Sequence, residues 1–207
     1  MQDALLEFPT PLHKAAFYND ANQMESLMQE EGYNQEKCSL DQTPLIMLVR
    51  GRAENDQQAQ DMATYSKLFI KAGADVNTPD RYGDTPLILA VMDGGGLPKV
   101  GTVKALVEAG ADVNKVCENF KKTPLHWAAV GGCTDIARIL VDAGSRLNKI
   151  NRERETPLQV AKRQMKRLQD GLDHFGNEYK KDDKAKQIGK YSDFVEYMES
   201  LPGIKKD

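Results

Sequence analysis

The chain has 207 residues, 40% of them hydrophobic and 29% charged, a composition that excludes disordered and fibrous classes and fits a folded, water-soluble protein. Its 28 basic and 31 acidic residues leave a net charge of −3, too little to attract nucleic acid or an anionic membrane surface. The longest apolar stretches, such as Thr43 to Val49, fall far short of the roughly 20 residues that a membrane-spanning helix needs.

At the start of the chain, Met1 to Phe8 has neither the basic start nor the apolar run of an export signal, although a mature chain whose signal had been removed would read the same way. Ala4, Leu5, Leu6 and Phe8 are expected to cover the first structural unit. Cys38, Cys117 and Cys133 are an odd number with no close pair, which argues against a disulfide framework and a zinc cluster. The simplest compartment is a reducing, cytoplasmic one.

One tripeptide then returns five times: Thr10-Pro11-Leu12, Thr43-Pro44-Leu45, Thr85-Pro86-Leu87, Thr123-Pro124-Leu125 and Thr156-Pro157-Leu158. The first and last intervals are 33 residues, and the two between are longer by 9 and 5, which marks insertions into one period. Each tripeptide predicts a helix start. The threonine hydroxyl can accept from an orphaned backbone N–H, and proline at the first helical position loses nothing by lacking its own. Small or apolar residues follow, as in His13 to Ala16, Ile46 to Val49, Ile88 to Val91, His126 to Ala129 and Val160 to Ala161.

A second marker closes the units: Ala72-Gly73-Ala74-Asp75-Val76-Asn77, Ala109-Gly110-Ala111-Asp112-Val113-Asn114 and the weaker Ala143-Gly144-Ser145-Arg146-Leu147-Asn148. Glycine there predicts a left-handed stop to a second helix, since apolar residues at helical spacing precede it. Each unit therefore reads as helix, turn, helix and a loop to the next Thr-Pro-Leu.

The Thr-Pro-Leu-His-x-Ala signature, seen best at Thr123 to Ala128, and the 33-residue period resemble those of ankyrin repeats. The resemblance covers Phe8 to Asn151 and extends through Ala161. It implies an all-α solenoid of about five stacked helix-turn-helix units with short hairpin fingers, at residues 8–34, 41–77, 83–114, 121–148 and 154–201, forming a single domain over 1–207. Asp80-Arg81-Tyr82-Gly83-Asp84 matches the family's finger with its turn glycine. The loops Glu118 to Lys122 and Asn151 to Glu155 lack that glycine.

Insertions are placed at 51–63 and 93–101, each between the two helices of a unit, and at 164–186 after the first helix of the fifth. All three are expected on the edge opposite the fingers. Lys162 to Asp173 reads as a charged helix, and Tyr191 to Leu201, with apolar Phe194, Val195 and Met198, as the closing second helix.

No residues point to catalysis. The resemblance gives His13 and His126 a structural role, bonding backbone between neighbouring repeats, and His174 has no partner at metal spacing. Cys117 and Cys133 lack a histidine at nucleophile spacing. Gly94-Gly95-Gly96 lacks the lysine-serine ending of a phosphate loop and reads as a flexible turn. The late basic run from Lys162 to Lys186 is interleaved with acids and reads as a solvated, ion-paired face. Trp127 occupies an apolar position and is expected in the core. Neither a cofactor nor a metal is implied.

The resemblance implies a folded protein partner seated on the concave surface lined by first helices and fingers, with the free chain a monomer. Offsets from each Thr-Pro-Leu put Phe17, Tyr18, Leu40, Gln42, Arg50, Arg81, Tyr82, Asp84, Met92 and Asp93 there in the first three units. Asn119, Phe120, Lys122, Val130, Arg152, Glu153, Glu155 and Arg163 follow in the last two. Phe17, Tyr18, Arg81, Tyr82 and Phe120 are the expected anchors, because aromatic and arginine side chains most often carry protein interfaces. An alternative reading is a dedicated inhibitor or self-protection protein that plugs one enzyme's active site with its inserted edge. An enzyme would need a site in 164–186.

Overall fold

The computed structural model describes residues 11–18, 20–30, 42–92, 97–170 and 181–204, the side chains of 17, 21, 28–30 and 181–183 excepted. The expectations for Ala4 to Phe8, Cys38, Leu40, Asp93, Gly94 to Gly96 and His174 fall outside them. Regular structure among the described residues is helical. The chain divides into two compact units, Met1–Asp112 and Val113–Asp207.

The first unit holds three helix pairs: α1 (Pro11–Tyr18) with α2 (Ala21–Glu30), α3 (Pro44–Arg50) with α4 (Asp56–Lys71), and α5 (Pro86–Val91) with α6 (Val100–Glu108). Contacts run α1 to α3 to α5 in one layer and α2 to α4 to α6 in the other. Short first helices fit this arrangement because they are apolar all round: Pro44 to Val49 and Pro86 to Val91 are wholly buried. The second unit repeats the plan with α7 (Pro124–Gly131) and α8 (Thr134–Asp142), then α9 (Pro157–Gln169) and α10 (Lys181–Ser200), in which α7 packs on α9 and α8 on α10.

The predicted caps form. Thr43, Thr85, Thr123 and Thr156 each accept from the backbone N–H three residues on, at 3.3 to 3.4 Å, with proline behind them in the first turn. Gly73, Gly110 and Gly144 end α4, α6 and α8 with φ of 99°, 87° and 88°. Asparagines then tie one pair to the next within each unit. Asn77 Nδ2 donates to Gly110 O (3.1 Å) while its Oδ1 accepts from Asp112 N (2.8 Å). Asn114 treats Gly144 O (3.2 Å) and Arg146 N (2.8 Å) in the same way. Asn148 Nδ2 reaches Gly203 O at 2.7 Å, and Gly203 has φ of 83°. The turn after α10 thus occupies the place that the Ala-Gly turn holds elsewhere, which makes α10 the closing second helix, one that begins at Lys181 rather than near Tyr191. Phe194 and Met198 on it are fully buried.

The first insertion takes in part a different form from the loop expected between helices. Residues 56–63 are the first two turns of α4, capped by Asn55 Oδ1 accepting from Gln58 N at 2.9 Å. The remainder is anchored: Ala53 is buried, its carbonyl accepts from Leu97 N (2.9 Å), and the buried Lys99 donates Nζ to Val49 O in the last turn of α3 (2.7 Å). Gly101 lets α6 meet the lengthened α4, since a Cβ there would stand 2.8 Å from Ala63 Cβ.

The fingers form with and without glycine. Asp80 N donates to Asp84 O, and Asn151 N to Glu155 O, each at 3.0 Å, while Cys117 N donates to Lys122 O in a loop one residue longer. The penultimate residue is left-handed in all three: Gly83 (φ 79°), Lys121 (φ 51°) and Arg154 (φ 63°). The first side chain of the loop braces two of the three. Asp80 Oδ1 accepts from Tyr82 N and Asp84 N, and Asn151 Oδ1 from Glu155 N.

Candidate functional site

In the first unit the finger presents Arg81 and Tyr82 as one object. The guanidinium lies 4.8 Å from the Tyr82 ring centroid and donates to its hydroxyl at 2.6 Å, and both residues are exposed. Beneath them the Asp80 carboxylate is fully buried and accepts from Arg50 at 3.2 Å, so Arg50 holds the finger to the end of α3. Asp84 and Met92 are half-buried, Gln42 is buried, and Tyr18 is exposed at the end of α1. Phe17 lies on α1 with its side chain outside the described set, as Leu40 does altogether.

The second unit gathers more of the expected residues. Phe120, 46% exposed, meets Trp127 edge to face at 5.8 Å between centroids. Lys122 Nζ lies 4.6 Å from the Trp127 centroid and 5.2 Å from that of Phe120. Only 7% of Lys122 is exposed, so it is a cation packed in place against the two rings rather than a mobile side chain of the groove. Arg152 joins the two fingers: its N–H donates to Phe120 O and its guanidinium to Asn119 O, both at 2.9 Å. Arg163, at the register position of Arg50, forms a fork on Glu155 at 2.8 and 2.9 Å with Glu153 at 3.8 Å, and the Glu155 hydrogen bond raises its pKa further.

His126 is fully buried behind this surface. Nδ1 accepts from Thr123 N (3.1 Å) and Nε2 donates to Glu155 O (3.1 Å), the bond between neighbouring repeats that the resemblance implied. Burial pushes its pKa down to about 4, and Lys122 adds to the effect. The neutral ring is a strut. His13 is likewise fully buried. Cys117 is buried at the position that Asp80 and Asn151 hold in the other fingers.

Two residues depart from the sequence reading. Trp127 is half-buried and lies beside a finger rather than in the core, with Nε1 buried and without an acceptor. Ile150, 50% exposed just before the fifth finger, was not foreseen; an apolar residue in a loop start was the available signal. Among the described residues no group of three or more histidine, cysteine or carboxylate side chains is placed to hold a metal, and no helix is long and apolar enough to cross a membrane.

Comparison with known proteins agrees with this geometry. Residues 12–117 and 98–169 match the family model "Ankyrin repeats (3 copies)". The chain is 32% identical over 152 residues to neurogenic locus notch homolog protein 1 of Xenopus tropicalis, covering 73% of this chain and 6% of that protein, and 30% identical over 152 residues to its Homo sapiens counterpart, covering 73% and 5%. Alpha-latrotoxin-Lg1a of Latrodectus geometricus is 30% identical over 124 residues, 59% of this chain and 8% of the toxin. The chain thus spans a small fraction of the length of these relatives.

Proposed function

The chain belongs to the ankyrin-repeat family, and from that premise we propose that it is a protein-binding module that recognises a folded partner with its fingers and the adjoining ends of its first helices. Ankyrin repeats are general protein-interaction modules, and the observation that carries the reading here is the preformed aromatic–cation pair in each of two fingers, Arg81 on Tyr82 and Lys122 on Phe120. Such side chains lose little freedom on binding, because they are already held in place. Arg50 and Arg163 serve the surface indirectly, by fixing Asp80 and Glu155.

The test is affinity capture from the native host, followed by the double variant Arg81→Ala, Tyr82→Ala. A loss of at least tenfold in affinity for the captured partner is expected for residues of this type at an interface centre. Unchanged binding of every partner sinks the assignment.

A dedicated inhibitor remains the second reading. Its motive, a protruding first insertion, is weakened because residues 56–63 belong to α4 and Ala53 is buried. The proposal includes a single domain over 1–207, monomeric when free. It is supported by the overlap of the two matched family segments across 98–117, the stretch that contains the boundary at 112/113.

A further inference from the structure

We propose that the fingers of the second unit form an acidic-side-chain receptor: Phe120 seats an apolar residue of the partner while the neighbouring Lys122 and Arg152 take the carboxylate of an adjacent glutamate or aspartate. The inference deepens the protein-binding reading and rests on it.

Charge accounting favours that occupant. Of the cations at these fingers, Arg163 is committed to Glu155 and Glu153. Lys122 is not: among the described residues its ammonium faces two aromatic rings and no carboxylate or carbonyl lies within hydrogen-bonding distance. A π face offsets only part of what an ammonium loses on leaving water, so this cation is held near apolar surface without an anion. Arg152 spends one guanidinium N–H on Asn119 O and keeps the rest of its fork, which suits a carboxylate. Lys121 and Arg154 are exposed nearby in the loops, against the single carboxylate of Glu118 not already hydrogen-bonded to the fingers. Phe120 is nearly half exposed and is braced by Trp127, the two rings meeting at right angles.

The geometry also sets an order of importance. Lys122 is fixed by the rings, so a partner carboxylate meets a cation that needs no further ordering. The exposed arginine contributes more to encounter than to residence. A basic partner is disfavoured by the same charges, since Glu118 is the one unengaged carboxylate among the described finger residues to offset them.

Trp127 is the chain's single tryptophan and lies against both Lys122 and Phe120, so it reports on this site alone. The experiment uses the full chain and two short capped peptides. One carries leucine–glutamate–leucine–aspartate at its centre, and its twin carries glutamine and asparagine in place of the acids. Binding is read from Trp127 fluorescence and its indole N–H resonance. The acidic peptide is expected to shift both signals saturably, and the neutral twin to bind about tenfold more weakly or worse. Lys122→Met keeps an apolar stem between the rings and should bring the acidic peptide down to the level of its twin. The exposed Arg152→Gln, which leaves that packing alone, should weaken it several-fold and reduce its salt dependence.

Equal binding of the two peptides, or wild-type affinity in both variants, overturns the carboxylate receptor and leaves the protein-binding reading standing. So does a Trp127 signal that stays still at millimolar acidic peptide. Failure of the broader reading shows separately, as captured partners indifferent to replacements in the fingers of either unit.

Discussion

Gly132 and Arg154 both sit at left-handed φ, 62° and 63°, yet substitution should act on them in opposite directions. A Cβ on Gly132 would come within 3.2 Å of the Tyr191 ring, and that ring cannot swing aside because its hydroxyl donates to Val130 O. Gly132→Ala therefore combines backbone strain with a tight contact and should lower unfolding free energy by about 2 kcal/mol in urea titration. Arg154 has backbone strain and no such neighbour, so Arg154→Gly should raise stability by about 0.5 kcal/mol. His126 gives a pH signature. Its pKa falls from 6.5 when unfolded to about 4 when folded, so the unfolded chain binds the extra proton between those values. The contribution is whole above pH 6.5 and is lost as pH falls towards 4, on the order of 3 kcal/mol in all. His126→Gln should flatten that part of the stability–pH curve; an unchanged slope would show that the ring is not held neutral.

At the scale of the element, α10 shows how a helix without its own repeat signature is recruited. It has no Thr-Pro start among the described residues and no Ala-Gly stop, but Tyr191, Phe194 and Met198 recur at helical spacing and are buried against α8 and α9. Asn148 then closes on Gly203 as Asn114 closes on Gly144. Asn148→Ala should remove about 1 kcal/mol from that end alone, seen as roughly fivefold faster amide exchange over 198–204 while α7 stays protected. Uniform loss of protection would mean that the bond is not local. Arg138, stacked 4.3 Å from the Tyr197 centroid, adds a second tie between α8 and α10.

For the whole molecule the proposal of a single domain makes its own prediction. Urea transitions followed by far-ultraviolet circular dichroism, which reports all helices, and by Trp127 fluorescence, which reports the second unit, should share one midpoint. Two separated midpoints would mean that Met1–Asp112 and Val113–Asp207 unfold independently. The fold was legible because five Thr-Pro-Leu anchors and three Ala-Gly stops repeat on one 33-residue period lengthened by insertions. The insertions were not, because a helix lengthened at its start and a loop have similar polar composition; Asn55 followed by Asp56, a cap and a first-turn acid, was the sign that residues 56–63 extend α4.

What the sequence by itself determined is the Thr-Pro starts of the first helices and the Ala-Gly stops of the second, since a hydroxyl, a proline ring and a missing Cβ act on backbone a few residues away. The company each side chain keeps at the candidate surface was decided by tertiary structure. The sequence offered Arg50, Lys122, Arg152 and Arg163 as four equivalent groove cations. Folding ties Arg50 to Asp80 and Arg163 to Glu155, sets Lys122 between two rings, and leaves Arg152 bridging two fingers. The partners of a long charged side chain lie about one repeat away or across a turn, and only the packed chain brings them within reach.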